Sequence, residues 1–153
     1  TYADAKICGH YVNSILASVD AKDQGYDEAL LLDYKGDIAE GPGENIFFVI
    51  DDKLVTPSLG KILKGITRYS VIQLAKDLGI EVVERAISPS EVSNAQEAFF
   101  SGTAAEITAI ESIDGQKLGE APGPITTKLK DLFMDIVHGK NEKYKDWLTY
   151  VNE

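Results

Sequence analysis

With 153 residues, 44% apolar side chains and a formal net charge of −10, the chain is long enough for one domain with its own core, burying roughly 68–70% of its unfolded surface. It has no block of lysine or arginine longer than two; this excludes nucleic-acid partners, because phosphate backbones are held by clustered cations, and leaves solubility as the meaning of the acidity. No run of 18 apolar residues offers a membrane span and no leader pattern is seen, while the lone Cys8 rules out an internal disulfide and fits a reducing, cytoplasmic setting.

The chain opens at Thr1 without an initiator methionine and is expected to be part of a longer protein. Val12, Ile15, Leu16 and Val19 recur at helical spacing, which predicts an amphipathic helix over 9–23, closed near Gly25. The apolar run EALLLD, 28–33, suits a short buried strand. Lys35-Gly36 then turns the chain, and 37–40 is again extended. NIFFVI, Asn45–Ile50, carries the strongest strand signal, and Asp51-Asp52-Lys53 turns it into a second strand, Lys53–Thr56.

A loop over 57–64, with glycines at 60 and 65, leads into a helix over 67–78. That helix turns Val71, Leu74, Ala75 and Leu78 inward and stops at Gly79. A strand over 80–86 follows. Ser88-Pro89-Ser90-Glu91 has the capping-box pattern with proline at the first helical position, so a short helix starts there. Strands over 97–101 and 106–113, then an Asp114-Gly115 turn, precede a last helix from about Pro124 to Val137, ended by His138-Gly139. With no internal repeat, low-complexity tract or linker, the expectation is one α/β domain over 1–153, mixed in strand direction and containing antiparallel hairpins.

Three short segments have chemical potential. Gly65-Ile66-Thr67 lies where a loop meets a helix N-terminus, whose free N–H groups and dipole favour a phosphate or carboxylate; taken alone, the tripeptide reads first as Thr67 serving as a plain N-cap. Ser101-Gly102-Thr103 ends a strand, where α/β domains commonly place ligands, or is simply a turn with a hydroxyl. The turn from Glu40 to Asn45, EGPGEN, is not a dinucleotide loop, since a strand follows it and two carboxylates would repel a pyrophosphate. A carboxylate on a glycine-bent turn suits a cation instead, either a metal or a protonated ring nitrogen. Metal binding needs several ligands together, and both His10 and His138 lie far from this turn in sequence, so no metal is expected.

The segments AKICGHYVNS (5–14), GYDEALLLD (25–33), IAEGPGENIFFV (38–49), GITRYSVIQLAKDLGIEV (65–82) and FFSGTAAEITAIESIDG (99–115) are specific as a series. In order and spacing they resemble the branched-chain amino-acid aminotransferases, fold-type IV enzymes that use pyridoxal 5′-phosphate (PLP). The similarity runs from Ala5 to about Trp147 and matches that family's C-terminal, cofactor-binding domain. It implies a mixed sheet forming a pseudo-barrel with flanking helices, and transfer of the amino group of leucine, isoleucine or valine to 2-oxoglutarate.

The resemblance also implies residue roles. Lys6, in an Ala-Lys-x-x-Gly-x-Tyr setting, corresponds to the lysine that holds PLP covalently and moves the Cα proton. Tyr11 corresponds to the tyrosine bonded to the cofactor's phenolic oxygen, and Glu40 to the carboxylate facing the pyridine nitrogen. Ile66 and Thr67 correspond to the phosphate-gripping helix start, and Thr103 to a second hydroxyl on the phosphate. The backbone around Thr103, Ala104 and Ala105 corresponds to the place that receives the substrate carboxylate. D-amino-acid aminotransferases and aminodeoxychorismate lyases share the fold; the pairing of EGPGEN with SGTAAEIT favours the branched-chain group. The chain departs from the family at Lys64, where proline is common, in a slightly short 57–65 loop, and at His10, where asparagine is usual. It lacks the family's N-terminal domain, which supplies an arginine to the phosphate; Arg68 and Arg85 do not match that position. An incomplete domain of this kind could also be a non-catalytic module. The family further implies a homo-oligomer.

Overall fold

NIFFVI forms β1 (Asn45–Ile50), and all six of its side chains are buried, as a strand covered on both faces requires. The structure is a computed structural model describing residues 4–151. In it β1 is the middle of a five-stranded sheet with β2 (Lys53–Thr56), β3 (Val82–Glu84), β4 (Glu97–Gly102) and β5 (Glu106–Ala109), in the order β3-β2-β1-β4-β5. Strand β1 runs antiparallel to β2 and β4, β4 antiparallel to β5, and β2 parallel to β3. The mixed α/β sheet is therefore as the sequence implies. The two-residue turn between β1 and β2 places Asp51 and Asp52 at φ of 51° and 59°, the left-handed pair that such hairpins need. Gln96 secures it, accepting the Asp52 N–H at 3.0 Å and donating to Asp52 Oδ1 at 3.1 Å.

The parallel pair requires a crossover, and α2 (Ile66–Asp77) provides it. Together with α3 (Pro124–Val137) it covers one face of the sheet, where Phe47, Leu54, Phe99 and Ile107 meet Val71, Leu74, Leu129 and Ile136. Phe47 and Phe99 face each other across β1 and β4 and stack with centroids 5.0 Å apart. Glu97, buried at the start of β4, accepts the N–H groups of Ile125 at 3.0 Å and Thr126 at 2.7 Å. A tertiary carboxylate thus caps α3, which has no local side-chain cap. On the opposite face Ile46, Phe48, Val55 and Ala98 pack with Ile38, Ile87, Val92 and Leu118. Of these covering residues, Ile38, Ile87 and Leu118 lie outside the strands of the sheet.

Local detail corrects several expectations. The 28–33 run is not a strand: its only bridge is Leu32 with Ile38. It forms a narrow ladder with 37–40 through Leu31 N–H to Glu40 O, Ala39 N–H to Leu31 O and Asp33 N–H to Asp37 O. With no strand on its outer side it stays irregular, and Leu32 is exposed. The 80–86 strand shortens to β3, although Leu54 N–H to Glu81 O and Arg85 N–H to Thr56 O extend its ladder. The 106–113 strand breaks after Ala109, because Ser112–Ile113 (β6) leaves to pair with Gln116–Lys117 (β7). The capping box forms as expected, with Glu91 Oε1 accepting the Ser88 N–H at 2.9 Å.

The first helix, α1, spans Tyr11–Asp23 after a tight turn at Cys8–His10. Val12, Ile15, Leu16 and Val19 all face outward, between 51% and 64% exposed. The half-buried inner side consists of Tyr11, Ser14, Ala17, Ser18 and Ala21. A last helical segment, Glu142–Trp147, was not anticipated from the sequence. Tyr144 anchors it by donating its hydroxyl to Asp77 Oδ2 at 2.6 Å. Among the described residues no helix is long and apolar enough to cross a membrane.

Candidate functional site

The start of β1 lies beside the end of β4, with Asn45 opposite Ser101, and the N-terminus of α2 meets them there. These three elements and the 5–14 segment surround a cleft of about 320 Å³. Lys6, Tyr11, Glu40, Ile66, Thr67 and Thr103 all line it. Ala104 and Ala105 belong to the same β4–β5 turn as Thr103 but do not line the cleft. Residues separated by up to 97 positions in the chain (6 to 103) are therefore brought into one space.

Each arrives by a local device. Lys6 sits in the irregular segment leading into α1, with its Nζ 5.5 Å from the centre of the Tyr11 ring. Asp4, two residues earlier, pairs with Lys64 at 3.0 Å, so the departure at position 64 ties the lysine segment to the loop before α2. This pair is exposed at both ends and contributes little to stability; the Lys64 ammonium holds the Asp4 carboxyl below its usual range. Glu40 reaches the cleft from the tight EGPGEN turn, which is closed by the Gly41 N–H to Glu44 O bond at 2.8 Å and an isolated bridge between Glu40 and Asn45. At Gly41 a Cβ would come within 2.9 Å of the Phe100 ring and 2.7 Å of the Glu44 carboxylate, so any larger residue would have to push these side chains aside.

Burial pushes the Glu40 carboxyl above the ordinary carboxylate range; the Leu63 N–H, at 3.0 Å, opposes the rise and the Glu44 charge adds to it. Among the described residues no cation pairs with this half-buried carboxyl, and a ligand cation would relieve its burial. No side chain caps the N-terminus of α2, although its first N–H groups need partners. Ser101, 1% exposed, has a buried Oγ with no hydrogen-bond partner. Such an orphaned hydroxyl calls for an acceptor or donor that the protein does not itself supply. A group carrying a cationic ring at one end and a phosphate at the other fits this cleft: an acid for the cation, and helix N–H groups and hydroxyls for the anion. No group of three or more metal-ligating side chains is found among the described residues.

Two residues of the cleft were not singled out by sequence reasoning. Ser101 was noticed only as part of a Ser-Gly-Thr turn. Asn45 was read as the first residue of a strand, yet its amide is buried and donates to both Glu40 Oε2 at 3.2 Å and Leu63 O at 3.0 Å. A polar residue opening an all-apolar strand was the available signal.

Similarity to known proteins points the same way. The chain is 50% identical over 149 residues to the probable branched-chain-amino-acid aminotransferase of Aquifex aeolicus, covering 95% of this chain and 48% of that protein. The crystal structure of the branched-chain aminotransferase from Thermoproteus uzoniensis with norvaline superposes with a TM-score of 0.92 at 52% identity, covering 96% of this chain and 49% of that one. The PLP form of the enzyme from Thermobaculum terrenum superposes with a TM-score of 0.95 at 46% identity, covering 97% and 50%. The chain thus spans about half the length of the curated relatives it matches. The family described as amino-transferase class IV matches residues 1–113, and the chain belongs to that family.

Proposed function

We propose that this chain is the cofactor-binding, C-terminal half of a PLP-dependent branched-chain amino-acid aminotransferase. The whole protein would pass the amino group of leucine, isoleucine or valine to 2-oxoglutarate. The observation that carries this reading is the single cleft that gathers Lys6, Tyr11, Glu40, Thr67 and Thr103. The chemistry that PLP supplies when bound is an electron sink for the pair left on the substrate Cα.

The chain's own residues then divide the remaining work. The Nζ of Lys6 would hold the cofactor and would take up and return the Cα proton. The Tyr11 hydroxyl holds the phenolic oxygen. Glu40 would face the ring nitrogen and favour its protonated form, with the Leu63 N–H bond favouring the ionised carboxylate. The N–H groups at Ile66 and Thr67, with the hydroxyls of Thr67, Ser101 and Thr103, hold the phosphate. The turn carrying Thr103, Ala104 and Ala105 receives the substrate carboxylate.

Neither arginine is free to help. Arg68 donates to Pro57 O at 2.9 Å and Glu84 at 2.7 Å, and Arg85 pairs with Glu91 at 2.7 Å. We infer that the other half of the protein brings a cation to the phosphate, closes the open side of the cleft and covers the apolar outer face of α1. The intact protein is read as cytoplasmic, which the lone Cys8 fits, and as homo-oligomeric, as the family resemblance implies. The test is borohydride reduction of the PLP-loaded intact protein followed by peptide mapping, alongside an assay of leucine-to-2-oxoglutarate transfer. The label is expected on Lys6 alone, with transfer measurable. A phosphopyridoxyl group on another lysine sinks the assignment, and release of pyruvate in place of transfer points to a lyase.

A further inference from the structure

We infer that Asn45 is a positioning residue that locks the Glu40 carboxylate to the start of α2, so that one buried amide sets both ends of the cofactor site. The inference rests on the reading of the cleft as a PLP site and extends it to a residue which itself need not touch the cofactor.

The geometry is a closed ring of three hydrogen bonds. Asn45 Nδ2 donates to Glu40 Oε2 at 3.2 Å and to Leu63 O at 3.0 Å, and the Leu63 N–H donates to the same Glu40 Oε2 at 3.0 Å. Both amide protons of Asn45 are therefore committed. Two donors converge on one carboxylate oxygen, which fixes the rotation of the carboxylate. Its other oxygen, Oε1, has no protein partner among the described residues. Asn45 is 4% exposed and fixed by its pairing with Ser101 of β4 on one side and the backbone bridge to Glu40 on the other.

The second half of the lock is steric. Gly65 immediately precedes α2, and a Cβ there would lie 2.0 Å from Asn45 Oδ1. The glycine lets the helix start sit directly against the amide. Loss of the amide thus frees the carboxylate and removes the seat of Ile66 and Thr67 together. Only an amide supplies two donors at this point; aspartate, of the same size, supplies none when ionised.

The test is a double-mutant cycle in the intact protein, combining Asn45→Ala with Glu40→Gln. Asn45→Ala is expected to lower kcat by about 10- to 100-fold, as a misplacement of up to about 1 Å costs, while the amino-acid KM changes by less than about threefold. In the Glu40→Gln background the same change should alter kcat by less than about threefold, because both residues act through one carboxylate. PLP affinity, read by absorbance titration, should fall by about tenfold in Asn45→Ala, since the phosphate end moves as well. If the alanine variant does not fold, Asn45→Leu reads the same cycle with the side-chain volume nearly kept and no new charge beside Glu40. Additive losses, or wild-type kcat and PLP affinity in either variant, overturn the inference and leave Asn45 as a residue of the fold. An arm without cofactor reads the lock itself: amide exchange at Leu63 should quicken by about tenfold or more in the variant, and unchanged exchange overturns it. Wild-type protein that fails to bind PLP overturns the cofactor reading and this role with it. Altered exchange alongside normal PLP binding and an additive cycle overturns the role alone.

Discussion

Helices α1 and α2 are of nearly equal length, 13 and 12 residues, and both carry aliphatic side chains at helical spacing. Their relations to the sheet are opposite. α2 buries Val71, Ile72, Leu74 and Ala75, whereas α1 turns Val12, Ile15, Leu16 and Val19 to the outside and presents small side chains to its own domain. The cause of the first is topological: a helix that connects parallel β2 to β3 must lie on the sheet. α1 precedes the sheet and lines the cleft through Tyr11 and Ser14. A helix of this length is marginal in water by itself. Its apolar stripe therefore shows that a helix forms with a covered side, but not which body does the covering.

The sharpest way to break this contrast is to truncate one residue on each helix. Leu74→Ala, at a fully buried position, is expected to cost about 2–5 kcal/mol, the usual range for a core leucine. Leu16→Ala, 64% exposed, should lie within about 0.5 kcal/mol of the parent in the 153-residue chain. Urea melts of both variants measure the difference. In the intact protein Leu16→Ala should move toward the core range if the other half covers α1. Equal costs in the short chain would show that α1 is already seated within it.

A third helical segment is held by a single aromatic side chain: the Tyr144 ring is buried in the α2–α3 core, and its hydroxyl reaches a carboxylate. Glu142–Trp147 depends on Asp77 at the end of α2, whose carboxyl is drawn down to about 2, first by the Tyr144 hydroxyl, then by Lys143 and Gln73. The folded state thus holds this proton less tightly than the unfolded chain does. The contribution to stability is present above the ordinary carboxylate value of about 3.9 and is lost as pH falls toward 2. Trp147, the only tryptophan, packs edge-on against Tyr144 at 4.9 Å and reports the docking by fluorescence. Its emission should shift through that acid window before the sheet melts. In Asp77→Asn the shift should be absent, with the segment already looser at neutral pH. An unchanged acid transition in the variant would assign the docking to apolar contact alone.

These three helices also mark what the sequence made legible. β1, α2 and the Ser88–Glu91 capping box could be read directly, because a continuous apolar run, a crossover stripe and a reciprocal cap are local patterns. The 28–33 run misled, since its leucines fit a buried strand equally well and only the sheet order reveals that it has no strand partner on its outer side. Glu142–Trp147 was missed because its anchor lies 67 positions away. In the cleft, the residues carried by the family resemblance were nameable one by one. Ser101 and Asn45 were not, because an orphaned hydroxyl and a two-donor amide exist only once β1, β4 and the 63–65 segment are brought together.

The smallest expected effect contrasts the site with the core that supports it. The Glu40 carboxyl is raised by burial, with Glu44 adding to the rise and the Leu63 N–H opposing it. A group raised in the folded state binds its proton more tightly there than in the unfolded chain, so stability declines as pH climbs through the ordinary carboxylate range to the raised value. Above that value the ionised carboxylate is a standing cost of the empty cleft. Glu40→Gln removes it, keeps an oxygen for the Leu63 N–H and leaves the two cores untouched. The variant chain without cofactor should therefore be slightly more stable than the parent at neutral pH, and the advantage should shrink as pH falls and the parent's carboxyl is protonated. In the intact protein the same substitution should retain PLP yet lose most of kcat, because an amide cannot keep the ring nitrogen protonated. Thermal melts at several pH values and transfer assays on one variant test both signs. A variant less stable than the parent at neutral pH would show that Glu40 is held for the fold, and near-normal kcat would show that it is a turn residue only.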